Sequence, residues 1–168
     1  IAGFAGPVLN PAPKAEGNGP LLVLFDGTWA DARDWQRRID RAAAAVADAG
    51  RAGRPVAVAV LTDPPDAPEF QTAEAWSARL AGLAPKAMAP DAGWAKALPE
   101  GDFDTFWLSD GLDHAGRADL LAALSDRGAV RVFQSPRPLF ALHPAGFEDG
   151  AVQVRASRLP AGPEPKSK

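Results

Sequence analysis

The sequence predicts an α/β fold: a doubly wound, mostly parallel sheet in three layers, with short extra strands toward the C-terminus. Two observations carry this expectation. Apolar runs without alternation, of which Leu21-Leu22-Val23-Leu24-Phe25 is the clearest, recur along the chain, as strands covered on both faces require. Between them lie segments whose apolar residues repeat every three or four positions, the mark of helices that bury one face. Strand and helix alternating in this way argue for parallel pairing with helices on both sides of the sheet.

Taken in order, residues 1–19 read as a linker, rich in Pro, Gly and Asn from Pro7 onward. The opening Ile1-Ala2-Gly3-Phe4-Ala5-Gly6 reads either as a buried N-terminal strand or as the end of an apolar segment closed by Pro7. The first strand, Leu21 to Phe25, ends in a turn at Asp26-Gly27-Thr28. Trp35, Ile39, Ala42, Val46 and Ala49 then mark a helix, with Gly50 and Gly53 as stops. A second strand spans Pro55 to Leu61, and Pro64, Pro65 and Pro68 forbid regular structure after it.

Trp76, Leu80 and Leu83 mark a shorter helix ending near Pro85. Residues 86–101 are irregular, with one helical turn around Trp94 to Leu98. Phe103 to Leu108 is the third strand. Asp113 is placed to cap a helix that buries Leu120, Leu121 and Leu124 and stops at Gly128. Ala129 to Phe133 is the fourth strand, which closes the α/β domain of residues 20–135. In residues 136–159, Leu139 to His143 and Val152 to Ser157 read as short strands, and the segment reads as the start of another module. Residues 160–168 form a Pro- and Lys-rich tail expected to be disordered.

Composition removes several function classes. The 168 residues suit one domain. A net charge of −3, with arginines scattered among acids, offers no basic track for nucleic acid. With no cysteine there are no disulfides, thiolate nucleophiles or Cys-based metal sites, and two histidines, His114 and His143, cannot build a multi-histidine site. No apolar run in the chain approaches the ~18 residues that a membrane span needs.

The chemistry is expected where strand order reverses, at the carboxyl ends of the strands. If the second strand lies on one side of the first and the third on the other, Asp26 and Asp110 become neighbours, with the hydroxyls of Thr28 and Ser109 beside them. Hard oxygen ligands of this kind suit Mg²⁺, Mn²⁺ or Ca²⁺. Read from spacing alone, the same residues also serve as helix caps or Asx turns.

The strand followed by Asp26-Gly27-Thr28-Trp29-Ala30 and a long helix, and then by Leu108-Ser109-Asp110-Gly111 after a later strand, resembles a von Willebrand factor A domain. In that family an Asp-x-Ser-x-Ser turn and a Thr-Asp-Gly-like turn form a metal-ion-dependent adhesion site, whose ion is completed by an acidic group of the partner. The resemblance implies Asp26, Thr28 and Asp110 as ligands of a degenerate site for Mg²⁺, Mn²⁺ or Ca²⁺. Ala30 stands where the second serine ligand belongs, and Thr72 is the sole candidate for the mid-domain threonine, in a setting that does not match. Trp29, Ser109, Asp113 and His114 are the accompanying partner-contact candidates, and no catalytic residue is implied.

Ala5-Gly6-Pro7-Val8-Leu9-Asn10-Pro11 resembles the exit of a membrane helix in bacterial BatA-type (aerotolerance-regulator) proteins, some of which carry a further C-terminal domain of unknown function. That resemblance implies a domain anchored at the bacterial inner membrane, on the periplasmic side, whose partner is another envelope or membrane protein.

Other readings compete. Phe25-Asp26-Gly27-Thr28 is similar to the haloacid-dehalogenase phosphatase motif, but its nucleophile position is Leu24, which cannot attack. A small α/β hydrolase using Asp110, His114 and Ser109 is the enzymatic alternative, although the Gly-x-Ser-x-Gly elbow is absent. No phosphate-binding glycine loop follows the first strand. A structural spacer is the third alternative. Of the tryptophans, Trp35, Trp76 and Trp107 are expected in the core, and Trp94 is expected to pin its loop. Trp29 is either a partner anchor or a lid on the first helix.

Overall fold

The computed structural model describes residues 17–134, and beyond them the backbone of four short strands within residues 139–159. The first run forms β1 (Leu21–Phe25) and a 3₁₀ turn (Trp29–Asp34) leads into α1 (Trp35–Arg51). Next come β2 (Val56–Val60), α2 (Ala73–Leu80), a second 3₁₀ turn (Ala92–Lys96) and β3 (Asp104–Ser109). They are followed by α3 (Arg117–Arg127) and β4 (Val130–Gln134).

These four strands make one all-parallel sheet in the order β2-β1-β3-β4. The chain leaves β1 toward β2 on one side and places β3 on the other, so strand order reverses between β1 and β3. Architecture and order are compatible with a Rossmann-like fold, as the alternation of runs predicts.

Alternation along each strand divides the core into two layers. Leu21, Val23, Phe25, Val58 and Phe106 face α1 and α2, against Ile39, Val46 and Leu80. Leu22, Leu24, Ala57 and Trp107 face the other way, against Trp94, Leu120 and Leu124. Each fully buried Leu or Val contributes about 1.5–3 kcal/mol relative to its exposed state, so both layers are needed to hold so short a sheet. Leu120 and Leu124 lie one helical turn apart on the buried face of α3. Leu121, expected beside them, is turned away and 40% exposed.

One helix end and one helix start differ from expectation. α2, capped by Thr72, which accepts from the Ala75 amide at 3.4 Å, ends at Leu80, before Leu83 and Pro85. Asp113 does not cap α3. The chain instead reaches Arg117 through Gly116 at φ 78°, and a side chain there would meet the backbone of Ala92 at 2.9–3.0 Å. Residues 110–116 are thus a loop over the sheet end and not the start of the helix. Trp35 and Trp76 are half-buried rather than fully enclosed; Trp35 packs on Phe25 at 5.3 Å between ring centroids and donates to the Leu83 carbonyl at 3.0 Å. Trp94 does pin its loop, its indole N–H reaching the carbonyls of Leu61 and Asp63.

Farther on, β5 (Leu139–Leu142) pairs antiparallel with β8 (Ala156–Leu159), and β6 (Gly146–Glu148) with β7 (Ala151–Gln153). β5 lies where the strand from Leu139 to His143 is expected, whereas the expected strand from Val152 to Ser157 overlaps the end of β7 and the start of β8. The Ala5–Pro11 run, His143 and the tail lie outside the described residues. Among the described residues no helix is long and apolar enough to cross a membrane.

Candidate functional site

The β1–β3 pairing sets Phe25 beside Leu108, so the residues that follow each strand emerge together at the reversal of strand order. The Asp26 amide still donates to the Leu108 carbonyl at 3.1 Å, carrying the pairing one residue past β1. Gly27 then turns the chain at φ 69°, where a side chain would strike Val60 at 2.3 Å. Only glycine fits between β2 and the turn, which explains Asp-Gly at this position. Thr28 caps the 3₁₀ turn by accepting from the Ala30 amide at 3.3 Å, and its hydroxyl donates to Asp110 Oδ2 at 2.6 Å. The two acidic turns are joined by that bond.

Asp26 accepts from the Trp107 indole at 2.7 Å on Oδ1 and from the Asp110 amide at 2.8 Å on Oδ2. Arg117 Nη1 stands 3.4 Å from the same Oδ2. Asp110 Oδ1 accepts from the Leu112 amide at 2.8 Å, while Oδ2 also meets His114 Nε2 at 2.7 Å. An ionised carboxylate only accepts, so the His114 proton lies on Nε2 in this bond.

A third carboxyl lies behind them. Asp31 Oδ2 accepts from the Gly27 amide at 2.8 Å, and Oδ1 forms an ion pair with Arg38 Nε at 2.8 Å. Arg38 is buried, reaches Asp34 at 3.5 Å and donates through Nη1 to the Ser109 carbonyl at 2.8 Å. The Ser109 hydroxyl accepts from the Gly111 amide at 3.1 Å and from Arg117 Nη2 at 2.9 Å.

Burial and proximity shape the protonation of this group. Loss of water raises the Asp26 carboxyl above its ordinary range, and the Asp110 charge raises it further. Burial also pushes Asp110 upward, but hydrogen bonds from Thr28, the Leu112 amide and His114 outweigh it and leave Asp110 below the usual range. Two adjacent carboxylates dividing in this way behave as one coupled unit. Burial pushes Asp31 up to about 7, against the pull of Arg38.

Of the residues singled out from sequence, Asp26, Thr28, Ser109, Asp110 and His114 do come together. Asp26, Asp110 and His114 form a group that could hold a metal ion, with one ligand atom from each lying within 4.8 Å of the others. In the ligand set read from the sequence Thr28 held the third place; here its hydroxyl is bound to Asp110. Trp29 is 56% exposed at the rim. Asp113 is exposed on the loop above. Ser109 is buried with its hydroxyl engaged from two sides, so it supports the site from beneath and offers no surface to a partner.

Thr72 lies at the wrong end of the sheet. Its neighbour Gln71 bridges Val56 at the amino end of β2, opposite the acidic turns. The hydroxyl near the site is that of Thr62 after β2, 3.4 Å from the Gly27 carbonyl. A Ser–His–Asp relay is not assembled: His114 bonds Asp110, while the Ser109 hydroxyl is taken by Arg117 and the Gly111 amide. Leu24 is enclosed in the core, as its place in β1 requires.

Sequence reasoning missed Asp31, Arg38 and Arg117. Asp34 and Arg38 stand four apart at the start of α1, a pattern that signals an ion pair. Nothing near Arg117 points to Asp26, which is 91 residues away. No family model, no curated protein and no solved structure matches the chain.

Proposed function

We propose that this chain is a non-enzymatic protein-interaction domain of von Willebrand A type, with a degenerate adhesion site, and that it meets its partner through the loops at the carboxyl edge of the sheet. The observation that carries the reading is Trp29. A large indole stays 56% exposed on the residue after Thr28, whose hydroxyl is locked to Asp110 at 2.6 Å. An aromatic side chain held out from a rigid turn is the kind of group that dominates binding energy at interfaces. Met88, also exposed, belongs to the segment fixed to the same turn by the Lys86 amide and the Gly27 carbonyl at 2.8 Å.

The reading includes an anchor at a bacterial inner membrane, with the domain on the periplasmic side and an envelope or membrane protein as its partner. Where a divalent ion assists, Asp26 and Asp110 are its ligands. His114 adds a nitrogen, which favours Mn²⁺ over Mg²⁺ or Ca²⁺ in such a mixed set.

Photo-crosslinking from positions 29 and 88 of the full-length protein in cells tests the interface, with position 74, at the start of α2 and at the other end of the sheet, as control. Adducts are expected from 29 and 88 but not from 74, and they should be competed away by added domain but not by its Trp29→Ala form. A spacer domain would give the same pattern from all three positions, and that result would discard the interaction reading.

A further inference from the structure

The resemblance places a divalent ion at the acidic turns, yet in this chain the carboxylates there already have partners. Both Asp26 oxygens receive N–H donors, from Trp107 and from the Asp110 amide. Asp110 is held by the Thr28 hydroxyl, the Leu112 amide and His114. A positive group also borders Asp26 from the loop side. Arg117 Nη1 is 3.4 Å from Asp26 Oδ2, its Nη2 donates to the Ser109 hydroxyl at 2.9 Å, and its guanidinium lies 4.5 Å over the Trp107 ring. Its side chain is only 20% exposed.

The place of Arg117 in α3 is itself informative. It is the first residue of the helix, where the macrodipole disfavours a cation. The left-handed Gly116 and the close approach of Ala92 fix the direction in which that first turn points. A cation set against the dipole and folded back over a buried carboxylate is held there by the carboxylate.

We infer that Arg117 is the resident counter-ion of the acidic crevice, standing in for the divalent ion, and that an ion and the Arg117 guanidinium exclude one another. A 2+ ion and a guanidinium ~5 Å apart at an effective dielectric of about 20 repel strongly enough to lower ion affinity by several powers of ten. The wild-type crevice is therefore neutralised from within, and an ion enters only when Arg117 leaves. This inference concerns the same site as the interaction reading but stands on the ion pairing alone. The cross-linking result and the ion result can fail separately.

The test uses Mn²⁺ as the probe, read by calorimetric titration and by the shift in thermal midpoint, on wild type, Arg117→Met, Arg117→Lys and the double variant Asp26→Asn/Arg117→Met. Arg117→Met should bind Mn²⁺ at least tenfold more tightly than wild type and be stabilised by it. Arg117→Lys keeps the charge and should remain as unresponsive as wild type. Without ion, Arg117→Met should melt lower by on the order of 5 °C, and Asp26→Asn in the same chain should recover at least half of that loss. The inference is overturned if Mn²⁺ affects wild type and Arg117→Met alike, including no effect on either, or if the Asp26→Asn loss adds to that of Arg117→Met. Should Arg117→Met not fold, Arg117→Gln takes its place with the same outcomes, and an ion response in Arg117→Lys overturns the inference.

Discussion

Buried acids occur at both ends of this sheet, and the two ends treat them differently. At the amino end Asp104, the first residue of β3, pairs with Arg54 at 2.6 Å and accepts from the amides of Gly17 at 2.9 Å and Ala129 at 3.1 Å. One carboxylate meets one guanidinium, both side chains keep 11–13% exposure, and the result clasps the chain before β1 to the turn before β4. At the carboxyl end three carboxyls, Asp26, Asp31 and Asp110, are packed together with Arg38, Arg117 and His114. Like charges there are close enough to move one another's protonation, and exposed Trp29 stands at the rim. A clasp needs only one matched pair. Crowded carboxylates cost stability unless they are matched, and such an arrangement marks a candidate site.

The largest expected difference comes from removing the arginine at each end. Arg38→Met leaves Asp31 buried without its cation and should cost about 3–5 kcal/mol. Arg54→Met leaves Asp104 partly in water with its amide donors, and should cost about 1–2 kcal/mol. Urea midpoints measure both, and equal losses would dissolve the distinction between the ends.

Protonation sharpens it next. The folded-state Asp31 carboxyl titrates near 7, against 3.8 ordinarily. Between those values the folded protein holds a proton that the unfolded chain has released. Its contribution to stability therefore falls as pH rises from about 4 to about 7, by on the order of 2–4 kcal/mol. Asp31→Asn should flatten that part of the stability–pH curve, as followed by thermal midpoint.

A smaller loss, about 1–2 kcal/mol, is expected for Thr28→Val, which deletes both a cap and the bond to Asp110. Trp29→Ala should change stability by less than about 0.5 kcal/mol, since the ring lies largely in water. A loss above 2 kcal/mol in denaturant unfolding would show that Trp29 serves the fold, as the lid reading holds.

Much of the scaffold is legible without coordinates, because each signal is local. Unbroken apolar runs locate β1 and β2, runs of mainly apolar residues locate β3 and β4, Gly53 and Gly128 mark helix ends, and Asp26 and Asp110 fall where the chain leaves two strands. Local rules also erred in instructive ways. Asp113 has the chemistry of a cap, yet the loop carrying His114 extends to Gly116, whose left-handed backbone starts α3. Thr72 lies in a suitable stretch of chain but caps α2 at the far end of the sheet.

The order of amino acids alone determined the strand–helix alternation, the glycine turn after β1 and the kind of groups available to the site, since these depend on neighbours a few positions apart. Tertiary structure alone decided that Trp107, Arg117 and Asp26 share one crevice, that Arg38 lies beneath Ser109, and that Trp29 remains outside. Those relations join residues dozens of positions apart, and they follow from β3 docking beside β1 and from α3 packing over it, which no local pattern encodes.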